Sequence, residues 1–102
     1  MAIAQIFKAL GDPIRLEIVK RLADGSPCTL SVLSENLGVS RQGARKQIQV
    51  LVDAKLVHLQ SKGREVKVTL DTKSLTLAQA FIAKLESQWE QRLMSLKNFV
   101  EE

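Results

Sequence analysis

The chain has 102 residues, of which 45% are apolar and 25% are charged. This composition is typical of one soluble domain with a modest core. No apolar run approaches the roughly 18 residues needed to span a bilayer, and the first ten residues lack the pattern of a secretory signal. A single cysteine cannot form an internal disulfide, which suits a reducing cytoplasm. We therefore expect one cytoplasmic domain over residues 1–102, with no membrane association.

Positive charge is concentrated in the middle of the chain. Residues 41–73 carry eight Lys or Arg side chains against three acids, whereas the segments on either side are close to neutral. A basic patch on one segment is what a polyanion-binding surface requires. Charge alone is equally compatible with an ordinary solvated face.

Two short amphipathic helices are predicted at the start. The first has an apolar stripe at helical spacing formed by Ile3, Ile6, Phe7 and Leu10. Gly11 ends this helix, and Asp12 is placed as the N-cap of a second helix whose first residue is Pro13. The apolar face of the second helix consists of Ile14, Ile18, Val19 and Leu22. Gly25 closes it.

A third and a fourth helix follow, separated by a short turn that contains glycine. Thr29 predicts the start of a helix over 30–37, and Gly38 predicts its left-handed end. Ser40 is the expected N-cap of a helix from Arg41 to about Ala54 or Lys55. Its predicted buried stripe is Ala44, Ile48, Leu51 and Val52, and its polar face is Gln42, Arg45, Lys46 and Gln49. Two helices joined in this way form a helix-turn-helix, whose second helix can enter a major groove.

A β-hairpin and one long helix are predicted for the rest of the chain. Apolar and polar side chains alternate with period two in residues 57–61 and again in residues 65–70. The two segments are joined by Lys62-Gly63-Arg64, which predicts a hairpin wing. Residues 73–102 predict a helix about 40 Å long. A core this small cannot cover its apolar stripe, so we expect a dimer interface made by the first and last helices. The interface residues expected are Ile3, Ile6, Phe7, Leu85, Trp89 and Leu96.

These elements predict a mainly α winged helix-turn-helix with five helices, a small β-hairpin wing and a long C-terminal dimerisation helix. On the fourth helix, Arg45 can pair with guanine, and Gln42 and Gln49 can pair with adenine. The start of that helix can hold a phosphate, and the hairpin tip can reach an adjacent minor groove or its phosphates. The predicted DNA-binding residues are Ser40, Arg41, Gln42, Arg45, Lys46, Gln49, Lys62 and Arg64.

Six segments distributed over nearly the whole chain have a recognisable pattern: residues 7–19 (FKALGDPIRLEIV), 37–42 (LGVSRQ), 50–57 (VLVDAKLV), 63–66 (GREV), 70–71 (LD) and 89–96 (WEQRLMSL). In these segments the chain resembles the ArsR/SmtB winged-helix repressors. The resemblance implies a dimeric DNA-binding repressor, often one that controls its own promoter and is released by a small effector.

The chain departs from that family pattern in two places. Many relatives sense metal through a Cys-Val-Cys at the start of the third helix, where this chain has Thr29 and Ser31, with Cys28 one place out of register. The last helix has no histidine for the second common metal site, so we expect neither a metal site nor a cofactor. Lys55 replaces the glycine usual before Leu-Val, so the turn into the wing is expected to differ locally.

Four residues each allow two interpretations. Cys28 is either a redox switch or a small buried hydrophobe, and His58 is either a pH reporter or an ordinary surface residue. Trp89 either lines an effector pocket or packs in the dimer or core. Gly43 either lets the backbone approach DNA or has no functional consequence.

The leading hypothesis is a homodimeric repressor that binds an inverted repeat through two recognition helices roughly 34 Å apart. The alternative is a winged helix that serves as a protein-interaction module without specific DNA binding. The sequence offers no nucleophile–base pair, paired carboxylates or phosphate-cradling glycine loop. We therefore expect no enzymatic activity.

Overall fold

The computed structural model describes residues 2–25 and 28–101, which form five helices and a three-stranded sheet. The elements in chain order are α1 (Ala2–Leu10), α2 (Pro13–Ala23), β1 (Cys28–Thr29), α3 (Leu30–Leu33), α4 (Arg41–Asp53), β2 (Val57–Lys62), β3 (Glu65–Leu70) and α5 (Thr72–Glu101). This is the mainly α winged helix-turn-helix that the sequence predicts.

The predicted helix starts are confirmed by their caps. The Asp12 carboxylate accepts hydrogen bonds from the backbone N–H groups of Ile14 and Arg15, at 2.9 and 3.1 Å. The Ser40 hydroxyl accepts one from Gly43 at 3.0 Å, and its backbone is extended at φ −65° and ψ 163°. Each cap satisfies an N–H that has no partner within its helix. The two caps therefore fix where α2 and α4 begin.

The third helix is shorter than predicted. It ends at Leu33 instead of Leu37, because the Ser34 hydroxyl donates a 2.7 Å hydrogen bond to the carbonyl of Leu30 and Asn36 turns left-handed at φ 58°. Serine and asparagine compete with helical backbone bonding in this way. Gly38 is also left-handed, as predicted, at φ 77°. The turn of the helix-turn-helix thus occupies residues 34–40.

The wing contains one strand more than the predicted hairpin. The sheet order is β1-β3-β2, with Cys28 opposite Val68 and Thr29 opposite Lys67. β2 and β3 pair from Val57–Leu70 to Lys62–Glu65, which leaves a two-residue turn at Gly63 (φ 64°) and Arg64. A two-residue strand carries no periodicity, which is why the sequence does not reveal β1.

The core is formed by α1 to α4, the sheet and Ala78 near the start of α5. Its largest fully buried side chains are Ile6, Ile18, Leu33, Ile48, Leu51, Leu56, Val57 and Val68. Along α5 only Ser74 and Ala78 are buried, and all of 79–101 is exposed. The molecule measures 69 × 25 × 25 Å because α5 extends beyond the body. None of the helices described is long and apolar enough to cross a membrane.

Candidate nucleic-acid interface

The exposed face of α4 is the one that the sequence predicts. The side chains of Ala44, Ile48 and Leu51 are at most 1% exposed and anchor the helix to the core. On the opposite side Gln42, Arg45, Lys46 and Gln49 are all exposed. Burial of one stripe therefore holds four polar side chains outward on a rigid element.

The start of α4 is tightly built around Gly43. A Cβ atom at this position would lie 3.3 Å from the Ser40 hydroxyl oxygen and 3.4 Å from Cβ of Val39. The cap and the preceding turn thus leave little room for a side chain. This packing explains why position 43 has a glycine, and the explanation does not involve DNA.

Gln49 is engaged by a neighbour on its own helix. Its amide nitrogen donates a 2.9 Å hydrogen bond to the carboxylate of Asp53. Pairing with adenine uses both the amide nitrogen and the amide oxygen. Gln49 can therefore read a base in this way only after it leaves Asp53.

The recognition helix and the wing face one cleft. Lys62 and Arg64 are exposed at the end of the β2–β3 hairpin. Arg64 and Arg45 both line a cleft of about 320 Å³, with residues 29–32 of β1 and α3 on the same wall. One cation of α4 and one of the wing are thus brought to one surface, and they outnumber the single acid of the cleft, Glu65. This excess of positive charge favours binding of a polyanion.

Arg21 holds the turn of the helix-turn-helix, a role that the sequence analysis missed. Its guanidinium donates to the carbonyl oxygens of Glu35 at 2.6 Å, Asn36 at 2.8 Å and Leu33 at 3.5 Å. It also lies 3.4 Å from the Glu17 carboxylate. The Glu17–Arg21 spacing of four residues could have indicated the ion pair, but nothing local marks the backbone contacts.

The predicted interface residues divide into two groups. Leu85, Trp89 and Leu96 are 50%, 60% and 50% exposed. Ile3 and Phe7 are half-buried, and the Phe7 ring packs against Phe81 with its centroid 5.8 Å away. Ile6 is completely buried in the protomer's own core, so its predicted place in a dimer interface is corrected. Its side chain has no surface left to offer a partner.

His58 and Asp71 connect the wing to the start of α5. Nε2 of His58 lies 2.7 Å from a carboxylate oxygen of Asp71, whose other oxygen accepts a 2.8 Å hydrogen bond from the Lys73 backbone N–H. The Lys73 bond is the main reason that the pKa of Asp71 lies below its ordinary value of 3.8; partial desolvation opposes it, and His58 contributes. His58 is therefore part of a specific contact.

The structure shows how far the side chains of Cys28 and Trp89 are buried, which the sequence alone does not determine. Cys28 is half-buried on the edge strand β1 and packs against the core. Trp89 is too exposed to be a core residue of the protomer. In the described segments no three His, Cys, Asp or Glu side chains converge as metal ligands would.

A family model described as a helix-turn-helix domain matches residues 10–60, from the end of α1 into the first long strand of the wing. Among functionally curated proteins none matches the chain. An ArsR-like transcriptional regulator from Rhodococcus sp. RHA1 is 28% identical, with a TM-score of 0.84 over 96% of this chain and 92% of that one.

Two more distant structures share the fold. The homodimeric winged helix-turn-helix DNA-binding domain of Mb0332 from Mycobacterium bovis is 20% identical, with a TM-score of 0.67 over 88% of this chain and 83% of that one. The transcriptional repressor BigR from Xylella fastidiosa is 22% identical, with a TM-score of 0.62 over 79% of this chain and 83% of that one.

Proposed function

From the premise that this chain belongs to the ArsR-type family of winged helix-turn-helix transcriptional regulators, we propose that it is a homodimeric repressor acting on an inverted-repeat operator. The family is one of DNA-binding regulators and not of enzymes. As the resemblance implies, a small effector would release the dimer from DNA in the cytoplasm.

The main support for the proposed dimer is the exposed apolar face of α5. We call this face the α5 stripe; it comprises Phe81, Ile82, Leu85, Trp89, Leu93, Leu96 and Val100, each at least 40% exposed. At 100° per residue, Leu85, Trp89 and Leu96 lie within about 40° of one another around the helix. A contiguous apolar surface of this kind marks an interaction site in a soluble protein.

A second copy of this chain is the proposed occupant of the stripe. In a twofold dimer the same surface serves both subunits, so a long helix with one apolar face can pair with itself. The homodimeric state of the Mycobacterium bovis domain, which shares the fold, supports this choice. The half-buried Ile3 and Phe7 extend the surface onto α1.

In the proposed complex each α4 enters a major groove. Arg45 pairs with guanine, and Gln42 and Gln49 pair with adenine, while Ser40, Arg41 and Lys46 hold phosphates. Lys62 and Arg64 of the wing contact the flanking minor groove or its backbone. Two α4 helices about 34 Å apart read half-sites one turn of DNA apart.

Repression is the regulatory outcome that we propose. A dimer bound to two half-sites one turn apart on promoter DNA competes with other proteins for the same surface. BigR of Xylella fastidiosa, which shares the fold, is a transcriptional repressor.

The test combines selection of bound DNA with a measurement of stoichiometry. Duplexes recovered from a random library should contain an inverted repeat with half-site centres about 10–10.5 base pairs apart. Sedimentation should show a dimer at micromolar concentration and two protomers on each selected duplex. A monomer, or selected sites without symmetry, would contradict the proposal. Failure to enrich any sequence would favour the protein-interaction module instead.

A further inference from the structure

A single guanidinium group joins three helices of the domain. Nε of Arg15 on α2 donates to the carbonyl oxygen of Ala9 at 2.7 Å, and Nη2 donates to that of Lys8 at 3.2 Å, both in the last turn of α1. Nη1 donates to the side-chain oxygen of Gln47 on α4 at 2.7 Å. We call this set of three hydrogen bonds the Arg15 bridge.

The bridge ends on two carbonyls in the last turn of α1. These carbonyls receive no N–H from a following turn of their helix, and they lie at the negative end of its dipole, where a cation is favoured. The Lys8 carbonyl also accepts a 3.2 Å hydrogen bond from the backbone N–H of Gly11. Gln47 sits at the margin of α4, between the buried stripe and the exposed face that carries Arg45 and Lys46. Arg15 and Gln47 are both half-buried, so solvent weakens the contact less than on an open surface.

The bridge connects the recognition helix to the helices that carry the proposed dimer surface. α1 is held to α5 by the tilted packing of Phe7 against Phe81. Arg15 then ties the end of α1 to the middle of α4. The guanidinium can do this because its fork points several fixed donors in different directions, whereas a lysine ammonium is a flexible point charge.

We propose that Arg15 is a positioning residue that sets the angle between α4 and α1, and through it the half-site spacing that the dimer accepts. This inference rests on the proposed function. In a dimer built on the terminal helices, a small rotation of α4 about α1 is repeated with opposite sense in the partner. The separation and mutual orientation of the two reading faces then change together.

The experiment measures spacing selectivity, which a merely stabilising residue would not control. The selected operator is compared with versions in which one base pair is added to or removed from the centre. Each such change moves the half-sites by about 3.4 Å and rotates them by about 35°. The ratio of affinities for the original and altered spacings is determined for the wild type and for four variants.

The variants distinguish the effect of losing the hydrogen bonds of the Arg15 bridge from the effect of losing a positive charge. Arg15→Lys keeps the cation but not the fork, and Gln47→Ala removes only the α4 end, so it leaves both bonds to α1 intact. Gln47→Glu keeps an acceptor oxygen and should rescue selectivity. Lys20→Ala is the control, since it removes a cation from an exposed position of α2 whose recorded ion pair is with Glu17.

We expect Arg15→Lys and Gln47→Ala to reduce the affinity ratio about three- to tenfold, because a typical intramolecular hydrogen bond contributes on this scale. Gln47→Glu and Lys20→Ala should retain the wild-type ratio. Equal weakening on all spacings, or an unchanged ratio in both bridge variants, would overturn the inference. A wild type without spacing preference would instead contradict the proposed inverted-repeat function. If Arg15→Lys does not fold, the affinity ratio of Gln47→Ala is sufficient to test the inference.

Discussion

The hydroxyl of Ser74 donates a 2.6 Å hydrogen bond to the carbonyl oxygen of Lys55. This bond joins the start of α5 to Lys55, which lies two residues after the end of α4. Beside it, the backbone N–H of Asp71 donates a 2.8 Å hydrogen bond to the carbonyl oxygen of Leu56. Ser74 is buried, so the bond is protected from water. The two hydrogen bonds therefore hold the start of the long helix against the segment that follows α4.

Lys55 reaches this arrangement in a strained backbone conformation, with φ at 61°. Glycine adopts this region without steric cost, whereas other L-residues pay roughly 1–2 kcal/mol. We expect Lys55→Gly to raise the free energy of unfolding by up to about 1 kcal/mol, after the entropy of the more flexible unfolded chain is subtracted. Lys55→Ala is the control and should give no comparable gain, since it keeps the Cβ atom. Urea denaturation measures both, and equal stabilisation would show that the gain comes from losing the charge.

Replacing Arg45 and Lys62 by alanine should affect DNA binding in different ways. Arg45→Ala removes a bidentate donor and should cost about 1–3 kcal/mol of discrimination at one position of the site. Lys62→Ala removes a proposed phosphate contact, so it should weaken binding to all sequences similarly and reduce the salt slope of log K by about 1. Salt titrations on matched and mismatched duplexes distinguish the two effects. The assignment of base reading to α4 is wrong when both variants lose the same affinity on every duplex.

Trp89 and Met94 provide a matched test of the dimer surface. Their side chains are 60% and 59% exposed, but Met94 points about 160° away from Leu96 and the α5 stripe around the helix. Trp89→Glu buries a charge in the proposed interface and should convert the dimer to monomer at micromolar concentration. Met94→Glu should leave the dimer intact. Sedimentation equilibrium measures this, and dissociation by both substitutions, or by neither, would argue against a twofold pairing through the stripe.

Arg21 should matter for stability more than its neighbour Lys20. Its side chain is 28% exposed and donates to two turn carbonyls and to the last carbonyl of α3, so Arg21→Ala should lower the free energy of unfolding by about 2 kcal/mol. Lys20→Ala changes a side chain that is 71% exposed and should cost less than about 0.5 kcal/mol. Chemical denaturation tests the pair. Similar small losses would mean that the turn holds its shape without the guanidinium.

Asp71 predicts an acid-dependent contribution to stability. Its pKa in the folded chain lies below 3.8, first because of the bond from the Lys73 N–H and further because of His58. A carboxylate of this kind stabilises the fold above its unfolded pKa, and the contribution is lost as pH falls through the folded value. Asp71→Asn should therefore be less stable than wild type at about pH 5–7, and the difference should shrink below about pH 3.8. Unfolding curves across this range provide the check; a constant difference would assign the loss to packing.

Features encoded within a few residues were predictable from the sequence. Asp12 and Ser40 define helix starts through bonds to N–H groups two or three positions away, and the spacing of Ala44, Ile48 and Leu51 defines the buried side of α4. The exposed polar side follows from the same periodicity. Both the helix-turn-helix and the exposed polar face of α4 are therefore local properties of the chain.

Contacts between residues distant in sequence were decided only by the tertiary structure. The short strand β1 exists because β3, forty residues later, offers it a pairing edge, and Arg15 and Arg21 acquire their roles from backbone carbonyls on other elements. Ile6 is apolar and helically spaced like Ile3, yet it is packed within the protomer. The sequence determined which side chains are apolar and how they repeat along each helix. Only the packing of one element on another decided which of them fill the protomer's core and which remain available to a second chain, because burial depends on all the surfaces that meet at a point.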